Sequence, residues 1–313
     1  MAYSNALTQE GRKFIYEVCK GTGTKFISGN NGIMPYTNPF INKTWTSQAT
    51  YNGSLITSGE QLGDALIYWF NLYAEMFKLD ANVVAAQAYA ESGYKIWIYV
   101  AYIKDNSWQS TASGINQFLM STFFGTVIDN AYGAFTADEI AKFTKNLVHP
   151  EDKNSYRVGG KTIGPPAPNY QNGWTNRPIL HQNIIDNPDL MIKAQCAYLN
   201  YISNLCKTFT SSTLFCYSRG EGFAKNTYLD TINACKNSKL NKDGTYIKEG
   251  LKYVQSIFGI LGDKNNLLAS KGLGRGYKPI GYYFGYDDAY FTKNDPKNLK
   301  LFDTYNPYNT TLG

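Results

Sequence analysis

Histidine is scarce in this 313-residue chain, which has two, His149 and His181. With so few imidazoles, neither a Cys/His metal cluster nor a Cys–His nucleophile pair is expected, and no metal or cofactor is assigned. Cysteine is sparse too. Cys19, Cys196, Cys206, Cys216 and Cys235 include no Cys-x-x-Cys pair and are odd in number, so they read as reduced, buried, small apolar residues. No run of about 18 apolar residues exists, which excludes a transmembrane helix. The segment Met1 to Lys20 has no continuous apolar core and no cleavage pattern, so the expectation is synthesis in a cytoplasm with no built-in export route. The net charge of +6 suits a polyanionic partner such as a bacterial cell wall, a membrane surface or nucleic acid. The basic residues are scattered, however, with no Lys/Arg stripe of the kind that marks a nucleic-acid binder.

What is abundant is tyrosine, with 26 residues. Such rings can stack on sugars or fill half-buried positions, and composition leaves both open. The length suffices for at least one sizeable core.

Hydrophobic periodicity predicts a mainly α chain. A short amphipathic helix is expected over Leu7 to Cys19. An irregular stretch rich in Gly, Asn, Thr and Ser follows to Thr57, as an arm, a docking segment or a few short strands. The clearest helix spans Ser58 to Lys78, with Ser58 and Gln61 as a capping box. Its core stripe is Leu62, Ala65, Leu66, Trp69, Phe70, Tyr73, Met76 and Phe77. Gly93 to Ala112 reads as an aromatic loop whose Tyr94, Trp97, Tyr99, Tyr102 and Trp108 either stack on sugars or pack. Thr136 and Glu139 form a second capping box for a helix running to about Val148.

Pro150 to Asp186 reads as a long insertion loop, a lid or plain surface. Asn187 and Pro188 then open a helix as N-cap and first-turn proline. Further helices are expected over Leu214 to Gly222, Ala224 to Cys235 and Tyr246 to Leu261. The tail from Gly262 reads as an extended arm or docking segment. Its Gly272-Leu273-Gly274-Arg275-Gly276 lacks the strand and helix that a nucleotide loop needs.

The candidate chemistry centres on Val83-Val84-Ala85-Ala86-Gln87-Ala88-Tyr89-Ala90-Glu91-Ser92-Gly93, an apolar helix with one ionisable residue at its end. Gly93 is a natural stop. A partly desolvated carboxyl keeps its proton more readily and can donate it to a leaving group. The plain alternative is a surface Glu at a helix end.

Four ordered blocks resemble the lytic transglycosylases and goose-type lysozymes of the lysozyme superfamily. Glu91-Ser92 ends a helix. Ala112-Ser113-Gly114-Ile115-Asn116-Gln117 is similar to that family's Ala-x-Gly-Leu-Met-Gln. Ala197-Tyr198-Leu199 lies in a helix opened by Asn187-Pro188. Cys216-Tyr217-Ser218-Arg219-Gly220-Glu221-Gly222 is similar to Ala-Tyr-Asn-Ala-Gly-x-Gly, with Tyr228 in the next helix. Asn116 replaces the family's Met and Ser218 its Asn. Glu91 and Gly114 lie further apart than in the transglycosylases. Ala86-Gln87-Ala88 before Glu91-Ser92-Gly93 also looks like the bacterial glucosaminidases.

The resemblance implies a lysozyme-like helical domain over 58–261 with an insertion at about 150–186, flanked by irregular extensions, 1–57 and 262–313. It implies a peptidoglycan-cleaving enzyme, a muramidase, transglycosylase or N-acetylglucosaminidase, with Glu91 as the general acid/base. Ser92, Gly114, Gln117, Tyr217 and Ser218 would line the cleft, and Gly114 and Gly220 would let backbone approach the glycan. Asp105, Asp129 and Glu221 are candidates for a second carboxylate. The expected partners are glycan strands and, through the extensions, other virion proteins. A bacteriophage protein, in the virion or in host cytoplasm before release, fits the missing export pattern. A structural virion component that keeps the fold without activity is the alternative.

Overall fold

A computed structural model of the chain describes residues 6–21, 46–104, 107–147, 179–207, 211–226, 228–258 and 284. The fold is mainly helical, with two small antiparallel sheets. Among the described residues, no helix is long and apolar enough to cross a membrane. The chain divides into two compact units. One comprises 15–73 and 91–197, the other 1–14, 74–90 and 198–313.

In the first unit, a tight hairpin pairs β1 (Thr50–Tyr51) with β2 (Ser54–Leu55). Its turn residues Asn52 and Gly53 both have positive φ, 51° and 76°, the geometry that two-residue hairpins prefer. Helix α2 (Gly59–Met76) follows. Ser58 caps it, its Oγ accepting the Gln61 N–H at 3.2 Å. The reciprocal half of the expected box is displaced by one residue, because Gln61 Oε1 accepts the Thr57 N–H at 2.7 Å. Leu62, Ala65, Leu66, Trp69, Phe70 and Tyr73 are buried as their spacing predicts, whereas Met76 is 54% exposed. The stripe leaves the core in the last turn of the helix.

The expected loop between Gly93 and Ala112 is instead largely a β-hairpin. Strand β3 (Tyr99–Lys104) pairs with β4 (Ser107–Ser113), and β4 with β5 (Phe118–Leu119). Tyr99 faces Ser113 across the ladder, and the register shifts at Tyr102/Ile103. Strict apolar/polar alternation is absent, so period-2 reading misses these strands. Tyr94, Trp97 and Tyr99 are buried, which assigns them to packing rather than sugar stacking. The rings of Tyr102 and Trp108 lie outside the described side chains.

A short α4 (Met120–Phe123) runs into a π-turn (Phe124–Ile128). Helix α5 (Ala137–Thr144) carries the expected capping box in full, with Thr136 Oγ1 accepting the Glu139 N–H and Glu139 Oε2 the Thr136 N–H. The expected insertion loop falls outside the described residues up to 178. Its last part, 179–186, is helical (α6) and buries Leu180, His181, Ile184 and Ile185. Helix α7 begins at Pro188 as expected and runs to Cys206. Residues 190–199 are all buried, so the helix is enclosed on every face rather than along one stripe.

In the second unit, residues from α1 (Gln9–Gly21) meet the C-terminal segment. Phe284 is fully buried. Its carbonyl accepts the Thr8 hydroxyl at 3.0 Å and its ring packs edge-on to Phe14. Helix α3 (Ala81–Ser92) starts from Asp80, whose carboxylate accepts the Asn82 N–H at 2.9 Å, a side-chain N-cap. Helices α8 (Ser211–Arg219), α9 (Tyr228–Lys236) and α10 (Thr245–Phe258) complete the unit. Gly250 lets α8 and α10 approach, because a Cβ there would stand 2.6 Å from the Phe215 ring. All five cysteines are buried. Apart from Phe284, the tail from Gly262, including Gly272–Gly276, lies outside the described residues, as do 22–45.

Candidate active site

Glu91 is the penultimate residue of α3. Residues 81–88 before it are buried, Glu91 itself is half-buried, and Ser92 is buried. Gly93 and Tyr94 both take the left-handed conformation, at φ 61° each, which ends the helix and turns the chain sharply. The strap that follows is stitched by backbone bonds, the Lys95 N–H to Ser92 C=O at 3.3 Å and the Ile98 N–H to Lys95 C=O at 3.4 Å.

The second block docks on that strap. The Ile98 carbonyl accepts the Gly114 N–H at 3.0 Å and Gln117 Nε2 at 3.3 Å. Gln117 Nε2 also donates to the Gly114 carbonyl at 2.7 Å. Gln117 is half-buried and holds φ 47°, a conformation that costs a non-glycine residue about 1 kcal/mol or more. Its amide nitrogen closes the turn and its Oε1 takes none of these bonds.

Gly114 is buried, with φ 76°, and a Cβ there would stand 2.7 Å from Ile184 Cγ2. Its smallness is therefore accounted for by contact with α6. Asn116, at the position of the family's Met, is fully buried and donates to the Met191 carbonyl at 2.7 Å. The first unit thus links Glu91, Ser92, Gly114 and Gln117 through one continuous run of hydrogen-bonded backbone.

Tyr217 and Ser218 lie in the other unit, near the end of α8, both half-buried. Ser218 Oγ donates back to the Phe215 carbonyl at 3.0 Å. The Tyr217 ring packs against Tyr198, centroids 5.5 Å apart. The Tyr198 hydroxyl donates to Glu221 Oε2 at 2.6 Å, a charge-assisted bond that ties the third block to the fourth. Gly220, at φ 109°, has open space where a Cβ would be. Arg219 is held by Glu249 at 2.6 Å and lies over the Tyr246 ring at 4.9 Å. Of the carboxylate candidates, Glu221 and Asp129 are exposed; Asp105 lies outside the described residues.

Two constellations escaped the sequence reading. Ser113 Oγ and His181 Nδ1 are 2.6 Å apart, and each residue is 1% exposed. His181 sits in the segment expected to be a loop, so nothing local marked it. The other is an ion pair between a buried lysine and a half-buried glutamate. Lys193 Nζ reaches both Glu139 oxygens, at 2.7 and 2.8 Å, and lies over the Phe135 ring at 5.2 Å. Burial by itself would raise the Glu139 carboxyl, but its bonds to Lys193 and Thr136 outweigh that and hold it below the usual range. Burial pushes the nearby Asp189 carboxyl up.

Burial raises the Cys19 and Cys196 thiols far above their ordinary range, which suppresses the reactive thiolate. Among the described residues, no group of three or more His, Cys, Asp or Glu could hold a metal ion. No family model, curated protein or solved structure matches the chain.

Proposed function

We propose that the chain is a peptidoglycan-cleaving enzyme of lysozyme-like fold, with Glu91 as the general acid for the β-1,4 bond between amino sugars. One observation carries this reading. A half-buried carboxyl ends a helix that is buried over residues 81–88, and the Gly114–Gln117 turn is strapped to the segment leaving it. Partial burial of a carboxyl disfavours its charged form. The negative end of the helix dipole further disfavours an anion at this position.

In the proposed reaction the Glu91 carboxylic acid gives its proton to the glycosidic oxygen as the bond from that oxygen to C1 breaks. The resulting carboxylate then takes a proton from the oxygen that attacks C1. If that oxygen is the sugar's own 6-hydroxyl, the product carries a 1,6-anhydro end and one carboxylate suffices. If it is water, a second carboxylate is needed, about 5 Å away as nucleophile or further off as base. Asp129 is the described candidate in the unit that carries Glu91. In this reading Gln117 Oε1 would accept from a sugar hydroxyl or an N-acetyl N–H. Tyr217 and Ser218 are carried into the proposal by their motif. A bacteriophage virion or lysis protein, with the outer segments engaging other virion proteins, is the setting this reading favours.

A second reading has its own support. Gly114 and Asn116 are accounted for by packing against α6 and α7, as a structural virion protein without activity would require. Mass spectrometry of peptidoglycan digested by wild type and by Glu91→Gln separates the two. Muropeptides with anhydro ends, absent from the variant digest, support a lytic transglycosylase. Reducing ends support a hydrolase. No products from wild type would refute the enzymatic reading.

A further inference from the structure

We propose that His181 is a positioning residue, which sets the glycan-binding turn Gly114–Gln117 from behind. The inference deepens the reading above and depends on it for the identity of the ligand.

The geometry starts in α6. His181 and Ile184 are three positions apart and so share one helix face. That face meets two consecutive residues, Ser113 and Gly114. His181 Nδ1 pairs with Ser113 Oγ at 2.6 Å, and Ile184 Cγ2 fills the space a Cβ on Gly114 would need. Tyr99 faces Ser113 across the β3–β4 ladder, and its ring lies 5.0 Å from the imidazole. Directly opposite residues present their side chains on one face of a sheet, so Tyr99 and Ser113 grip the imidazole together.

A serine bonded to a histidine invites a nucleophile reading. Both groups are 1% exposed, so no substrate reaches them, and their work is mechanical. The Ser113 bond fixes the last residue of β4. Gly114 then bonds to Ile98, and Gln117 closes on Gly114 and Ile98. Asn116 is held separately by the Met191 carbonyl of α7. Gln117, the half-buried member of this turn, is therefore aimed by a chain of bonds that begins at His181. Its strained φ of 47° persists only while the surroundings hold it.

The test compares His181→Phe, which keeps ring volume and loses the hydrogen bond of Nδ1, with His181→Asn, whose amide can stand where Nδ1 stood. Hydrogen exchange at the Gly114 and Gln117 amides is read first, because it needs no activity. His181→Phe should speed exchange there by about tenfold, the scale of losing one buried hydrogen bond. His181→Asn should restore most of the protection. Ser113→Ala, which removes only a hydroxyl, should loosen the same two amides and serves if His181→Phe does not fold. Unchanged exchange, or equal loosening in the Phe and Asn variants, overturns the anchor.

Cleavage of purified peptidoglycan is read second. In His181→Phe the KM should rise by a larger factor than kcat falls, with rescue in His181→Asn. Equal loss in both variants overturns the positioning role. A loosened turn in a protein whose wild type releases no muropeptides would instead overturn the glycan reading, and with it the substrate this residue was proposed to position.

Discussion

Replacing Lys193 by Met should destabilise the chain by about 2 kcal/mol, between the worth of an exposed ion pair and the cost of breaking a fully buried one. The reasoning comes from the geometry. Lys193 Nζ contacts both Glu139 oxygens, and the two side chains are 9% and 21% exposed. Removing the cation leaves a half-buried carboxylate without its counter-charge, although Glu139 keeps the Thr136 N–H at 2.8 Å, which limits the loss. Glu139→Gln is the matched partner, since its amide oxygen can still accept from Thr136 and so preserves the cap. It leaves Lys193 buried without a counter-charge and should cost a similar amount. The double variant should cost well under the sum, with a coupling of about 2 kcal/mol. Urea unfolding at constant slope reads each value from the midpoint. Additive losses, or a Lys193→Met cost under about 0.5 kcal/mol, as for an exposed pair, would refute the argument.

The remaining predictions concern two glycines and an acid. Gly114→Ala meets both a left-handed φ and an atom 2.7 Å away; its cost by urea midpoint should be about 3 kcal/mol. Gly93→Ala, at φ 61° with open space around it, should cost only about 1 kcal/mol; equal costs would show that the Ile184 contact is irrelevant. The Glu139 carboxyl is held below its ordinary 4.5, so the stability it contributes is full above that value and is lost as pH falls through its lower folded value. The stability gap between wild type and Glu139→Gln should therefore shrink on acidification, and a gap independent of pH would contradict the assigned pairing.

Local chemistry determined a good part of this protein. Helical period placed α2 and α10, because one-sided burial repeats every 3.6 residues within a short window. Cap chemistry placed the start of α5 at Thr136, and Pro188 opened α7, since these signals act within a turn of the residue that carries them. Glu91 at a helix end before Gly93 was legible for the same reason. Asn52-Gly53 was a legible hairpin signal that the reading of that segment as largely irregular passed over.

What tertiary structure alone decided lies at long range. The β3–β4 hairpin arises from pairing rather than alternation, and α6 from burial of Leu180, His181, Ile184 and Ile185 in a segment without a clear period. Gly114 owes its identity to Ile184, 70 positions later in the chain by the numbering of its contact. Ser113 meets His181 across 68 positions, and Lys193 meets Glu139 across 54. A sequence window reports how a residue relates to its neighbours along the chain. Which distant residue completes a hydrogen bond or neutralises a charge is set by how whole elements pack, and no local pattern carries that information.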